Sequence, residues 1–164
     1  MATGNVSALD QDTWQLIATN TTTSGSTSTF SSLSGYKEYL ITWNGVSTSS
    51  NGSSYLQFNS DTGANYFGGI SLGEADGTFE NKSDRIRLHY SSLRTTLSGY
   101  ISIKNVNNGA PKIVTGTTSG YAENGWQADI NGGWLTTDAI TSMVITAGGG
   151  TFSAGSMKLY GIAG

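Results

Sequence analysis

The chain has 164 residues, a net charge of −3, 12% charged residues and no cysteine. That length suits one domain with a core of its own. The missing cysteines exclude disulfides and thiolate metal sites, the 8 Lys and Arg form no basic footprint for nucleic acid, and no apolar run approaches the ~20 residues of a membrane span. Charge is about half the usual ~25%, yet aromatics reach 10%, which argues for a folded chain whose surface is Ser, Thr, Asn and Gly. The N-terminus, Met-Ala-Thr-Gly-Asn-Val-Ser, has neither the charged nor the apolar region of a signal peptide, so synthesis and initial residence are expected in a cytoplasm.

The elements in chain order follow a period of two, not 3.6. Residues 1–13 read as an N-terminal arm, and 14–164 as a single β-sandwich domain. Trp14-Gln-Leu-Ile-Ala18 places Trp14, Leu16 and Ala18 on one face, with Trp14 in the core. The Ser/Thr/Gly stretch from Thr19 reads as a surface loop, a hesitant edge strand, or a segment that lies across a neighbour and pairs through its backbone. Tyr36 to Asn44 is the clearest strand, with Tyr39, Ile41 and Trp43 inward. Asn51-Gly52 marks a turn, and Tyr55 to Asn59 follows with Leu56 and Phe58 on one face.

Residues Ser60 to Ser83 read as irregular. Arg85 to Tyr90 alternates, with Ile86, Leu88 and Tyr90 inward and Arg85, Arg87 and His89 outward. Leu97 to Lys104 sets Gly99, Ile101 and Ile103 against Tyr100, Ser102 and Lys104. Asn107 to Pro111 is a turn. Ile113–Thr117, Trp126–Ile130, Ile140–Thr146 and Ser156–Ile162 complete the strands, with Asn131-Gly-Gly breaking the second before Trp134. The last strand stops just before the final residues, so the chain is expected to finish inside its own sheet. Eight to ten short strands with turns about every ten residues describe an all-β, antiparallel sandwich or barrel rather than an α/β fold, and the β-sandwich is the expectation.

No residue set argues strongly for chemistry. The one histidine, His89, lies on a polar face without a local carboxylate to orient it, so it reads as a surface residue. One histidine without cysteine does not make a zinc site. Asp61, Glu74, Asp76, Glu80 and Asp84 crowd one region; two carboxylates of a calcium loop are conceivable there, but a solvated loop facing Lys82, Arg85 and Arg87 is the plainer reading. A carboxylate pair for glycoside hydrolysis is weakly signalled by 11 scattered acids. Aromatic planes beside polar turns are the better lead for binding, because such planes stack on sugar rings. Tyr66, Tyr121, Trp126 and Trp134 are the candidate carbohydrate-binding residues, although core packing uses the same side chains. Trp126 alternates with Ala128 and Ile130, as core residues do; Trp134, at the glycine break, is expected to be the most exposed.

Four segments, Thr13-Trp-Gln-Leu-Ile-Ala18, Tyr36-Lys-Glu-Tyr39, Tyr55-Leu-Gln-Phe-Asn-Ser-Asp-Thr-Gly63 and Phe152-Ser-Ala-Gly-Ser-Met-Lys-Leu-Tyr-Gly-Ile162, together resemble small virion structural proteins of tailed bacteriophages, those of cyanophages and marine phages in particular. The likeness runs over nearly the whole chain. It implies a jelly-roll sandwich, often a homotrimer, with no catalytic residue and no cofactor. It also implies residence in the virion after synthesis in the host cytoplasm, and capsid or tail subunits as partners. Fibre proteins carry a docking region and a shaft before such a domain, whereas here the strands begin almost at once. The resemblance therefore implies a non-enzymatic capsid decoration (cement) protein, with a tail-fibre or receptor-binding module for host surface carbohydrate as the alternative. Neither nucleic acid nor membrane is an expected partner.

Overall fold

The computed structural model describes residues 13–72, 75–89, 96–107, 109–121 and 125–164, with side chains from 79 onward in the segment that starts at 75. All regular structure among these residues is strand: β1 (Gln15–Thr21), β2 (Thr27–Phe30), β3 (Tyr36–Thr48), β4 (Tyr55–Phe58), β5 (Tyr66–Leu72), β6 (Ala75–Ser83), β7 (Ile86–Arg87), β8 (Thr96–Lys104), β9 (Lys112–Tyr121), β10 (Gly125–Trp134), β11 (Met143–Thr146) and β12 (Phe152–Ala163). They form two antiparallel sheets. The larger has the order β1-β12-β3-β8-β9-β10-β5-β6 and the smaller β2-β11-β4-β7. The protein is an all-β sandwich. The chain changes sheet at every step except β5–β6, β8–β9 and β9–β10, and β5–β6 and β9–β10 are hairpins added to the large sheet.

The core lies between the sheets. Tyr39, Ile41, Trp43, Ile101, Ile103 and Val114 from the large sheet meet Phe30, Leu56, Phe58, Ile86, Met143 and Ile145 from the small one. Alternating burial in β8, in β11 and in β3 from Tyr39 to Trp43 produces this: the inward positions are apolar, so one face of each strand is removed from water, at roughly 25 cal/mol per Å² of apolar surface.

Several elements differ from the sequence reading. The pairing of β5 with β6 is antiparallel and regular, not an irregular segment, with Gly68 and Gly69 opposite Glu80 and Phe79. Its pattern is hidden because glycines supply the backbone without side chains to alternate. β10 runs through Gly132 and Gly133 to Trp134, because Gly132 sits opposite Gly68 and the side-chain-free pair lets β5 and β10 approach closely. In β1 the register slips between Leu16 and Ala18. That bulge turns both Ile17 and Ala18 to the core and leaves Trp14 and Leu16 at 41% and 55% exposure, so Trp14 is not a core residue. The Thr19–Ser34 stretch folds back within its own chain: β2 pairs with β11, and Asn20 Nδ2 donates to Ser28 Oγ and Thr29 O, each at 3.0 Å. Of the proposed arm, only Thr13 belongs to the described residues.

Candidate ligand-facing surfaces

The four aromatic candidates divide between the two ends of β10. Tyr66 and Trp134 are buried, at 0% and 2% exposure, side by side in neighbouring strands. With Phe58 they form one aromatic cluster, ring centroids 5.6–6.2 Å apart. No ring face is left for a sugar, which overturns the expected exposure of Trp134. The cause is Asp61. After β4, Asn59 and Ser60 both take positive φ, a conformation that asparagine tolerates, and swing the chain back over the cluster. Asn59 secures the turn: its Oδ1 accepts from the Thr141 and Ser142 backbone N–H groups, and its Nδ2 donates to Ala139 O.

Asp61 then closes this end. Its Oδ2 accepts from Trp134 Nε1 at 2.6 Å and from Asn65 Nδ2 at 2.9 Å, and its Oδ1 accepts from Gly63 N at 2.8 Å. Partial burial pushes the carboxyl pKa up, but the three donors outweigh it and leave the pKa below its ordinary value. Tyr66 completes the arrangement: its hydroxyl accepts from Phe58 N at 2.9 Å and lies 3.2 Å from the carbonyl oxygens of Phe58 and Asp61. Burial pushes this phenol up to about 12. A carboxylate with every nearby donor engaged is a structural clasp, not a free base or metal ligand.

The Trp126 end is different. Tyr121 is 68% exposed. Trp126 is half-buried, its indole lying over Gly120, where an added Cβ would come within 2.7 Å of Cζ2. Its other neighbour is His89, ring centroids 6.3 Å apart. His89 is not on the surface as expected. It is 3% exposed, with Nε2 3.1 Å from Ser54 Oγ. The reason is that β7 ends at Arg87, so the alternation that would turn residue 89 outward is lost. Leu88 N bonds back to Ser54 O, which draws residue 89 inward beneath Trp126. Ser54 is itself buried, so this pair is shielded from any substrate.

In the acidic region, Arg87 Nη2 meets Glu80 Oε1 at 2.8 Å and Arg85 Nε meets Asp84 Oδ1 at 3.0 Å, so these acids face arginines, although Glu80 lies in β6 and not in a loop. Glu74 and the Asp76 side chain lie outside the described residues. Among the described residues no three His, Asp or Glu side chains gather as metal ligands.

Two surfaces on the outer face of the large sheet escaped the sequence reading. Cross-strand register aligns Leu16, Tyr160 and Leu40 in one row over β1, β12 and β3, with Ile162 in the adjacent row. Further across, Tyr100, Thr117 and Asp129 form a row over β8, β9 and β10, and Thr115 and Asn131 follow in the next. These residues and Gln127 line a shallow depression open to solvent. The outward direction of Tyr100 was legible from alternation. Its neighbours were not, because they depend on strand order.

No family model, no curated protein and no solved structure matches this chain.

Proposed function

We propose that the protein is a non-enzymatic virion structural protein of a tailed bacteriophage, a capsid decoration subunit that works through protein–protein contacts, self-association among them. The observation that carries this reading is the apolar row on the outer face of β1, β12 and β3. The outer face of a sandwich normally meets water and is polar, yet here Leu16 is 55% exposed beside the half-buried Tyr160, Leu40 and Ile162, with Trp14 at 41% just before β1. Apolar anchors with a hydroxyl-rich rim are what an assembly interface needs.

The strand order supports the same reading. With the two added hairpins set aside, the remaining eight strands run 1-8-3-6 in one sheet and 2-7-4-5 in the other. We read this interleaving as a jelly roll, an architecture used in capsid and lectin domains. It is fold-level support, and so secondary to the apolar row.

The test is antibody–gold labelling of purified phage particles, together with co-sedimentation of the protein with assembled capsids. Gold over the heads and binding that is lost in Leu16→Gln support the reading. Gold confined to tail tips, or capsid binding indifferent to Leu16→Gln, overturns it. Leu16 is exposed, so this change is expected to alter stability by no more than about 0.5 kcal/mol and to leave the fold intact.

A further inference from the structure

We propose that the depression over β8, β9 and β10 binds a neutral hexopyranose unit of a glycan, with Tyr100 as the stacking plane and Gln127, Asp129 and Asn131 as hydrogen-bonding groups. This site goes beyond the assembly reading and does not rest on it.

The argument starts from what these side chains lack. Tyr100 is 47% exposed, although a tyrosine ring gains by burial. Among the described residues, the side chains of Tyr100, Asp129 and Asn131 make no hydrogen bond or ion pair. Gln127 is positioned in advance: its Nε2 donates to Thr117 Oγ1 at 3.4 Å, and that hydroxyl donates to Ala128 O at 3.1 Å. Tyr100 and Asp129 lie two strand spacings apart, about 10 Å between backbones, which leaves room for one sugar ring between ring and carboxylate.

The chemistry selects among occupants. A pyranose has an apolar C–H face and a rim of hydroxyls that both donate and accept. Tyr100 suits the face, Asp129 accepts from two hydroxyls, and Asn131 and Gln127 offer donor and acceptor together. A protein interface fits poorly, since its core would strand a carboxylate and two amides around one ring. Phosphate, sulfate and sialic acid are repelled by Asp129 and by the net charge of −3.

The test is binding of the full chain to an immobilised panel of neutral hexose and N-acetylhexosamine oligosaccharides and their sialylated and sulfated counterparts, followed by titration of the best binder. We expect neutral glycans to bind, with affinity falling about tenfold or more in Tyr100→Ala, about fivefold in Asp129→Asn and less than about twofold in Tyr121→Ala. No binding anywhere on the panel, a preference for acidic glycans, or affinities unchanged in both Tyr100→Ala and Asp129→Asn would each overturn the proposal. If Tyr100→Ala fails to fold, Asp129→Asn and Asn131→Ala, both at exposed positions, decide by the same criterion. The assay uses isolated protein, so its failure is separate from any failure of particle labelling.

Discussion

Strand β10 carries an indole near each end, Trp126 and Trp134, and the two ends are closed by different means. At the Trp134 end a loop returns over the rings, and Asp61 takes up the indole N–H, so the ring is buried and its polar atom satisfied. At the Trp126 end the indole rests on Gly120 and the His89 ring and stays half-buried, and the nearby Tyr121 is largely exposed. Eight residues separate the two indoles, about 26 Å along a strand, so they never belonged to one site. A glycine pair beside a tryptophan therefore says little about exposure. What decides it is whether some distant segment brings a polar group to the ring's hydrogen-bonding atom.

The largest expected effect breaks the clasped end directly. Trp134→Ala removes a fully buried indole from the aromatic cluster and is expected to cost about 3–5 kcal/mol, a large part of a domain's stability. Trp126→Ala is expected to cost less than about half as much, because part of its surface already meets water. Urea unfolding of both variants measures the difference. Equal costs would mean that the two ends are closed equally well.

A smaller effect isolates the hydrogen bond. Asp61→Ala leaves Trp134 Nε1 buried without its acceptor, at about 1–3 kcal/mol. The contribution also has a pH signature. Because donors hold the folded-state carboxyl below the ordinary aspartate value of 3.8, the native state binds this proton less readily than the unfolded chain. The stabilisation is fully present above that unfolded value and is lost as pH falls below it, through the folded-state pKa. In Asp61→Asn this component of acid destabilisation is expected to vanish. Unfolding midpoints of both proteins between neutral pH and strong acid check it: an unchanged acid slope would show that the clasp is not electrostatic.

The sandwich was legible in the chain because β4, β8 and the Tyr39–Trp43 part of β3 alternate, and alternation records which face a strand buries. The same local signal failed where the structure is set from a distance. Gly68, Gly69, Gly132 and Gly133 are in strands, but they have no side chains with which to show a period. The slip in β1 leaves Trp14 and Leu16 outward while Ala18 stays inward, and past the early end of β7 His89 turns inward beside Leu88; alternation predicts a face only while a strand keeps its register. Asp61 reaches Trp134 across 73 positions, a pairing that no spacing rule anticipates. The outer-face surfaces were half legible: the outward direction of Tyr100 follows from β8 alone, whereas Asp129 and Asn131 join it only once β8, β9 and β10 are known to be neighbours.

The smallest expected effect tests the open end. Tyr121 closes the register of β9 opposite Gly125 and Thr96, yet its ring is mostly in water. If exposure measures what the ring contributes, Tyr121→Ala should shift stability by no more than about 0.5 kcal/mol, mainly through β-propensity, since little apolar area changes environment. The glycan site on β8–β10 should also be nearly indifferent to this change, because Tyr121 lies beyond the depression that Tyr100 and Asp129 line. A thermal shift comparable to that of Trp126→Ala would mean that Tyr121 packs with Trp126 as a second closing cluster. The two ends of β10 would then differ only in how they satisfy an indole N–H, and burial would no longer separate them.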